Sequence, residues 1–185
     1  MGMTTNRVRA AQAMGNHDQV NLLYQDWFMI AWNRELPELL PMPDGPQLNL
    51  GAGYRLIGDS IPVGLETGWD ADTEPLPYAS GSIAGIWAHG FFEHVADVPA
   101  VLRECERVLI KGGVLNVVVP HGRSEIAVED ITHKQFIVEH TWRNLFGNEY
   151  YDAAKGQAWR LRVHANFMMA VAYRNMALFT QFVKV

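Results

Sequence analysis

The sequence predicts an α/β domain built on a mostly parallel sheet, with helices on both faces and an antiparallel pair of strands at the C-terminal end. Three observations carry this. Apolar strand-like runs alternate with a helical stripe through the middle of the chain, the order a parallel sheet requires. Val114 to Val119 is nearly all apolar and β-branched, as a strand buried on both faces should be. Two further strand-like runs, Trp159 to Ala170 and Ala177 to Val185, follow with Arg174 and Asn175 near the turn between them.

The chain has 185 residues, which suits one domain. Residues 1–16 read as loosely ordered, 17–45 as an N-terminal helical cap and 46–185 as the core. From Asp18 to Leu36 the residues Val20, Leu23, Tyr24, Trp27, Ile30 and Ala31 recur at helical spacing, with Asp18 as N-cap. Pro37, Pro41, Pro43 and Pro46 make the next stretch irregular. Gln47 to Leu50 is a short strand, and Gly51-Ala52-Gly53 follows at once. Ile61 to Leu65 is a second strand, Gly68 to Ser82 a loop, and Ser82 to His89 a buried strand. A helix from Asp97 to Ile110 carries the stripe Val98, Val101, Leu102, Cys105, Val108 and Leu109. Gly112-Gly113 is expected to end it, because glycine accepts the left-handed backbone of a C-terminal cap. Pro120 closes the central strand, a polar stretch runs to Asp130, and a helix is expected near Glu139 to Phe146.

Composition excludes several classes. Hydrophobic residues make up 49% and charged residues 19%, ordinary for a globular protein. A net charge of -5 gives no general attraction for phosphate backbones or anionic membranes. No apolar run is long enough to cross a bilayer. The single cysteine, Cys105, allows no disulfide within the chain, and Met1 to Asn16 lacks a signal-peptide core, so the expected location is the cytoplasm.

Ligands of open α/β sheets sit outside the carboxyl ends of the strands. Gly51-Ala52-Gly53 lies at such an end, where a missing Cβ lets the backbone approach a ligand. Alone, this is equally an ordinary tight turn, and the full dinucleotide fingerprint would need a glycine where Leu56 stands. Glu66 follows the second strand, placed to accept hydrogen bonds from ribose hydroxyls, and Asp72 precedes Leu76-Pro77-Tyr78. Tyr54, Trp69 and Trp87 are near enough in sequence to wall an adenine, though each also suits a core.

Residues 48 to 120 resemble a class I methyltransferase dependent on S-adenosylmethionine (SAM), a Rossmann-like fold. They are most similar to the small type 11 kind, in the short versions of bacteria and bacteriophages. LNLGAG resembles the first SAM motif, and Asp72 with TEPLPY resembles an acid followed by Leu-Pro-Phe. SIAGIWAHGFFEHV resembles the fourth strand with its Glu-His ending. LRECERVLIKGGVLNVVV resembles the helix, Gly-Gly turn and fifth strand, and Asp130 to His133 resembles a later Asp-x-x-His element. The resemblance implies SAM as cofactor, with Gly51, Ala52 and Gly53 at its amino-acid part. It implies Glu66 at the ribose, Asp72 at the adenine amino group, and His89 and Gly90 lining the pocket. It departs at one point: seven residues, Tyr54 to Ser60, separate Gly53 from Ile61, too few for a crossover helix.

Methyl transfer from SAM needs an acceptor held in line, and often a base. His94, His121 and His133 are the candidates, with His121 best placed because it follows a strand's carboxyl end. His94 equally suits a structural hydrogen bond at a helix start. Glu104 and Arg107 read as structural. Seven histidines raise a metal site from His89, Glu93, His94, His121 and His133, but no HExxH or Cys-His pattern occurs, and none is expected. DNA is not the expected acceptor: Ala88-His89-Gly90-Phe91 lacks the Pro-Pro-aromatic motif, and Cys105 sits mid-helix as a small core residue. The expectation is methyl transfer to a small molecule or a limited surface site, entering over Gly122 to Thr132 and the N-terminal helix. Two alternatives stand beside it. One is a methyltransferase-like binding or regulatory domain, with Trp27, Phe28 and Trp32 on a partner surface. The other is a metal-dependent RNA methyltransferase.

Overall fold

The structure is a computed structural model that describes residues 38–53, 57–147, 159–171 and 175–185. The helix expected from Asp18 to Leu36, its aromatic face of Trp27, Phe28 and Trp32, and the residues Tyr54 and Arg174 lie outside the described residues.

Six strands form one mixed sheet: β1 (Gln47–Leu50), β2 (Ile61–Val63), β3 (Ile83–His89), β4 (Leu109–Pro120), β5 (Leu161–Val171) and β6 (Asn175–Lys184). Their order across the sheet is β2-β1-β3-β4-β6-β5. β2, β1, β3 and β4 run parallel, while β6 is antiparallel to β4 and to β5. The expected antiparallel C-terminal pair is therefore present, at one end of an otherwise parallel sheet. After β1 the chain steps outward to β2, then returns to the opposite side of β1 as β3. That reversal makes the carboxyl ends of β1 and β3 the switch point, where ligands bind in open α/β sheets.

The described helices are α1 (Val98–Val108), α2 (Glu125–Glu129) and α3 (Glu139–Gly147), with single 3-10 turns at Leu65–Thr67 and Phe92–His94. In α1, Asp97 caps the N-terminus by accepting a hydrogen bond from the Ala100 N–H at 3.0 Å. Its buried stripe of Val98, Val101, Leu102, Cys105 and Val108 packs into the main core with Leu48, Leu50, Ile86 and Leu115. α1 ends at Val108, earlier than the sequence pattern suggested. Its last carbonyls are taken by the chain entering β3: Gly81 N–H donates to Arg107 O and Ser82 N–H to Val108 O, both at 2.9 Å. Gly112 has φ +78° inside β4, where the register with β3 shifts, so the Gly-Gly pair makes a strand irregularity and not a helix cap. The second expected strand is likewise shorter, because Leu65 turns into the 3-10 segment.

Residues 38–46 cover part of the sheet. Gln181 of β6 holds them by accepting from the Leu40 N–H (2.8 Å) and donating to the Leu40 carbonyl (3.0 Å), while also donating to Asn116 of β4 at 2.9 Å. These buried amides are satisfied by one another and by backbone, as their full burial requires.

Candidate cofactor crevice and histidine cluster

The parallel strands bring four loops to the same end of the sheet. Gly51 and Gly53 follow β1, Glu66 follows β2, His89 and Gly90 end β3, and His121 and Gly122 follow β4. Gly51, Gly53 and Gly90 all have left-handed φ, +63°, +52° and +65°, which glycine adopts without strain. The two glycines of the first turn differ in what they leave open. A Cβ on Gly51 would meet the Phe91 ring at 2.7 Å, so internal packing demands glycine there. A Cβ on Gly53 would meet nothing within 4 Å among the described residues. Among the described residues the Gly53 side is uncovered, whereas the side of Gly51 is closed by Phe91. Ala52 is buried behind the turn.

Glu66 reaches back across this turn and accepts a hydrogen bond from the Gly53 N–H at 3.0 Å. The acid at the end of β2 and the glycine turn at the end of β1 thus meet directly. Asp72 is engaged differently: it accepts from the Ala96 N–H (2.8 Å) and from Lys134 Nζ (2.6 Å). The Lys134 ammonium holds its carboxyl below the ordinary range. Trp69 and Trp87 are both core residues. The Trp69 indole N–H is shared between the Glu74 and Pro75 carbonyls and that of Trp87 donates to Gln47. His89 is half-buried, yet its Nε2 is sealed from solvent with no partner among the described residues. Burial pushes its pKa down to about 4, so the ring is neutral at physiological pH. Glu104 and Arg107 pin the loop before β3 onto α1: Arg107 donates to the Leu76 and Tyr78 carbonyls, and Glu104 accepts from the Leu76 N–H.

The three histidines named as bases separate into two groups. His121 is 1% exposed, with Nε2 donating to Glu139 at 3.0 Å and Nδ1 accepting from the Arg123 N–H at 3.3 Å. Both ring nitrogens are occupied, and the ring ties the end of β4 to the start of α3. His94 and His133 come together, with ring centroids 4.8 Å apart. The backbone that joins them is short: Lys134 and Gln135 N–H both donate to the Glu93 carbonyl, at 2.7 and 3.0 Å. Thr132 Oγ1 donates to Asp130 (2.7 Å) and accepts from His94 Nδ1–H (3.1 Å), and His133 Nδ1–H donates to the Ala127 carbonyl (2.9 Å). These bonds place a proton on Nδ1 of each ring, leaving both Nε2 lone pairs available. Glu93, 3% exposed, lies beside them.

Sequence reasoning missed three partners: Phe91 against Gly51, Lys134 on Asp72 and Glu139 on His121. Only the Asp130-x-Thr132 pattern carried a local signal, that of a side chain bonding the backbone two residues on.

Comparison with known proteins agrees with this architecture. Residues 64–117 match the family described as Methyltransferase domain. A solved Haloferax volcanii methyltransferase, in complex with the Trm112 methyltransferase activator, superposes with a TM-score of 0.54 at 16% identity. That match covers 77% of this chain and 85% of the other. This is the class I SAM-dependent methyltransferase fold. A SAM-dependent methyltransferase from Thermotoga maritima shares it with a TM-score of 0.52 at 15% identity, over 78% of this chain and 84% of that one. The cyclase SpnF shares the methyltransferase fold too, with a TM-score of 0.50 at 16% identity, over 76% of each chain. No curated protein matches the sequence. Among the described residues no helix is long and apolar enough to cross a membrane.

Proposed function

We propose that this protein transfers a methyl group from SAM to a small molecule or to a limited surface site, with the cofactor in the crevice at the ends of β1, β2 and β3. The observation that carries the proposal is the meeting of Glu66 with the Gly53 N–H, on a side uncovered among the described residues, in a methyltransferase fold. The hydroxyls of an adenosyl ribose there would donate hydrogen bonds to Glu66, and Gly53 would let its backbone come close. Leu65, 77% exposed beside Glu66, offers an apolar cover. Asp72 keeps lone pairs for the adenine amino group beside its bond to Lys134. His89 Nε2, buried without a partner among the described residues, and Gly90 complete the wall.

SAM, when bound, supplies an activated methyl group, so the protein's work is to orient the acceptor, exclude water and accept a proton. Without an ion bound between them, His94 and His133 are the bases this arrangement supports, since each ring carries its proton on Nδ1 and its lone pair on Nε2, beside the turn that follows β3. His121 is the weaker choice, because both its nitrogens are engaged. The acceptor enters over Gly122 to Thr132, where Val128 (64% exposed) and Ile131 (98%) offer apolar contact, with Phe136 (55%) just beyond.

Calorimetric titration with SAM and with S-adenosylhomocysteine tests the reading. Asp72→Ala is expected to weaken both by about tenfold, the loss of one charge-assisted hydrogen bond. Lys134→Ala removes the same ion pair but leaves the carboxylate, and should bind as wild type. Equal losses in both variants would assign Asp72 to structure. The second reading, a domain of this fold without methyl transfer, is favoured by the Phe91 ring that closes Gly51 and by the fold's known breadth of chemistry. No heat with either ligand at millimolar concentration would select it.

A further inference from the structure

Glu93, His94 and His133 each present one ligand atom, and these atoms all lie within 4.8 Å of one another. A tetrahedral site with bonds of about 2.1 Å holds its donors about 3.4 Å apart, so side-chain movement on the order of 1 Å would close this set around an ion. Two further observations point the same way. Metal-bound histidines donate their second ring N–H to a carbonyl, carboxylate or similar acceptor, which fixes the ring and its tautomer. Both rings are so fixed: His133 Nδ1 on the Ala127 carbonyl, and His94 Nδ1 on Thr132 Oγ1, which itself donates to Asp130. In addition, Glu93 is almost fully buried, and its Oε2 is sealed with no partner among the described residues. A buried carboxyl oxygen without a partner is costly unless a proton or a cation meets it, and beside two imidazole nitrogens a cation would satisfy all three groups at once.

We infer that Glu93, His94 and His133 form a binding site for a divalent transition-metal ion, of the two-histidine, one-carboxylate type that leaves coordination positions open. Imidazole nitrogen with carboxylate oxygen suits zinc, cobalt or iron(II) in preference to magnesium or calcium. Asp130 Oδ2, 3.7 Å from His133 Nε2, stands at the same opening as a further oxygen donor. The 3-10 turn carrying Glu93 and His94 hangs from the end of β3, so the open positions fall on the ligand-binding end of the sheet. Of the five residues the sequence offered for a metal, the fold brings these three together, because His133 enters across the loop that Lys134 and Gln135 tie to the Glu93 carbonyl.

The test uses the full chain, stripped with a chelator and dialysed against Co²⁺ or Zn²⁺ without SAM, so its outcome is separate from that of cofactor binding. One equivalent of tightly held metal is expected, with visible Co²⁺ bands and paramagnetically shifted ring protons of His94 and His133. His94→Asn and His133→Asn should each bind at least about tenfold more weakly. His164→Asn, at an exposed histidine bonded to the Glu38 carbonyl, should bind as wild type. Absence of stoichiometric uptake by wild type, or unchanged affinity in either of the first two variants, would overturn the assignment. Should those variants fail to fold, the ring shifts in wild type decide: unshifted His94 and His133 protons refute the site.

Discussion

At the scale of single residues, burial decides what each titratable group can do. His89 has the pKa of its ring pushed from 6.5 to about 4 by desolvation. Above pH 6.5 the ring is neutral in both the folded and the unfolded chain and has no effect on stability. As pH falls from about 6.5 toward 4, the unfolded chain binds a proton that the folded chain does not, so this residue lowers stability with falling pH. Urea unfolding at pH 7.5, 6 and 5 should therefore show wild type losing more stability than His89→Asn across that window. An equal pH slope in the two proteins would mean the ring is solvated when folded. Cys105 shows the same force on another group: full burial raises its thiol well above the ordinary range, leaving a small apolar side chain with no nucleophilic role.

At the scale of elements, close packing explains two glycines at the rim of the sheet. Gly51 meets the Phe91 ring, and Gly122 meets the backbone of Phe136 and Ile137, with its N–H donating to Ile137 O at 2.8 Å. A Cβ on Gly122 would lie 2.7 Å from the Phe136 carbonyl carbon, and backbone cannot swing aside as a side chain does. Gly122→Ala should then cost about 1–3 kcal/mol, measured by chemical denaturation, and loosen the loop that carries His133. A variant as stable as wild type would show that the loop moves freely. The clasp between the turn at Phe92–His94 and Lys134-Gln135 is the element that brings His94 and His133 together. Phe92 anchors that turn by packing against Trp142, which in turn packs on Phe182.

At the scale of the whole molecule, sheet order places the chemistry. Four parallel strands deliver their carboxyl ends to one rim, and the reversal at β1 puts the switch point there. A ligand that binds only the folded chain stabilises it by mass action. S-adenosylhomocysteine at tenfold its Kd should contribute about 1.4 kcal/mol. That corresponds to a rise of about 3 to 6 °C in melting temperature for a chain of this size. An unshifted melting curve at millimolar ligand would argue for the reading without methyl transfer.

Much of this was legible in the residues themselves. The β-branched run at Val114 to Val119, the helical stripe of α1 and the glycine turn after β1 are local patterns, and local patterns follow from backbone and side-chain sterics alone. Gly53 and Glu66 were both legible as rim residues from their places after β1 and β2. The tertiary structure alone decided the rest. It closed Gly51 with Phe91, gave Lys134 to Asp72, occupied both nitrogens of His121, and set His133 against His94 and Glu93. Those pairings join residues that lie far apart in the chain or on different loops. Such contacts depend on which loops the sheet order brings to one rim, and no spacing along the chain encodes that.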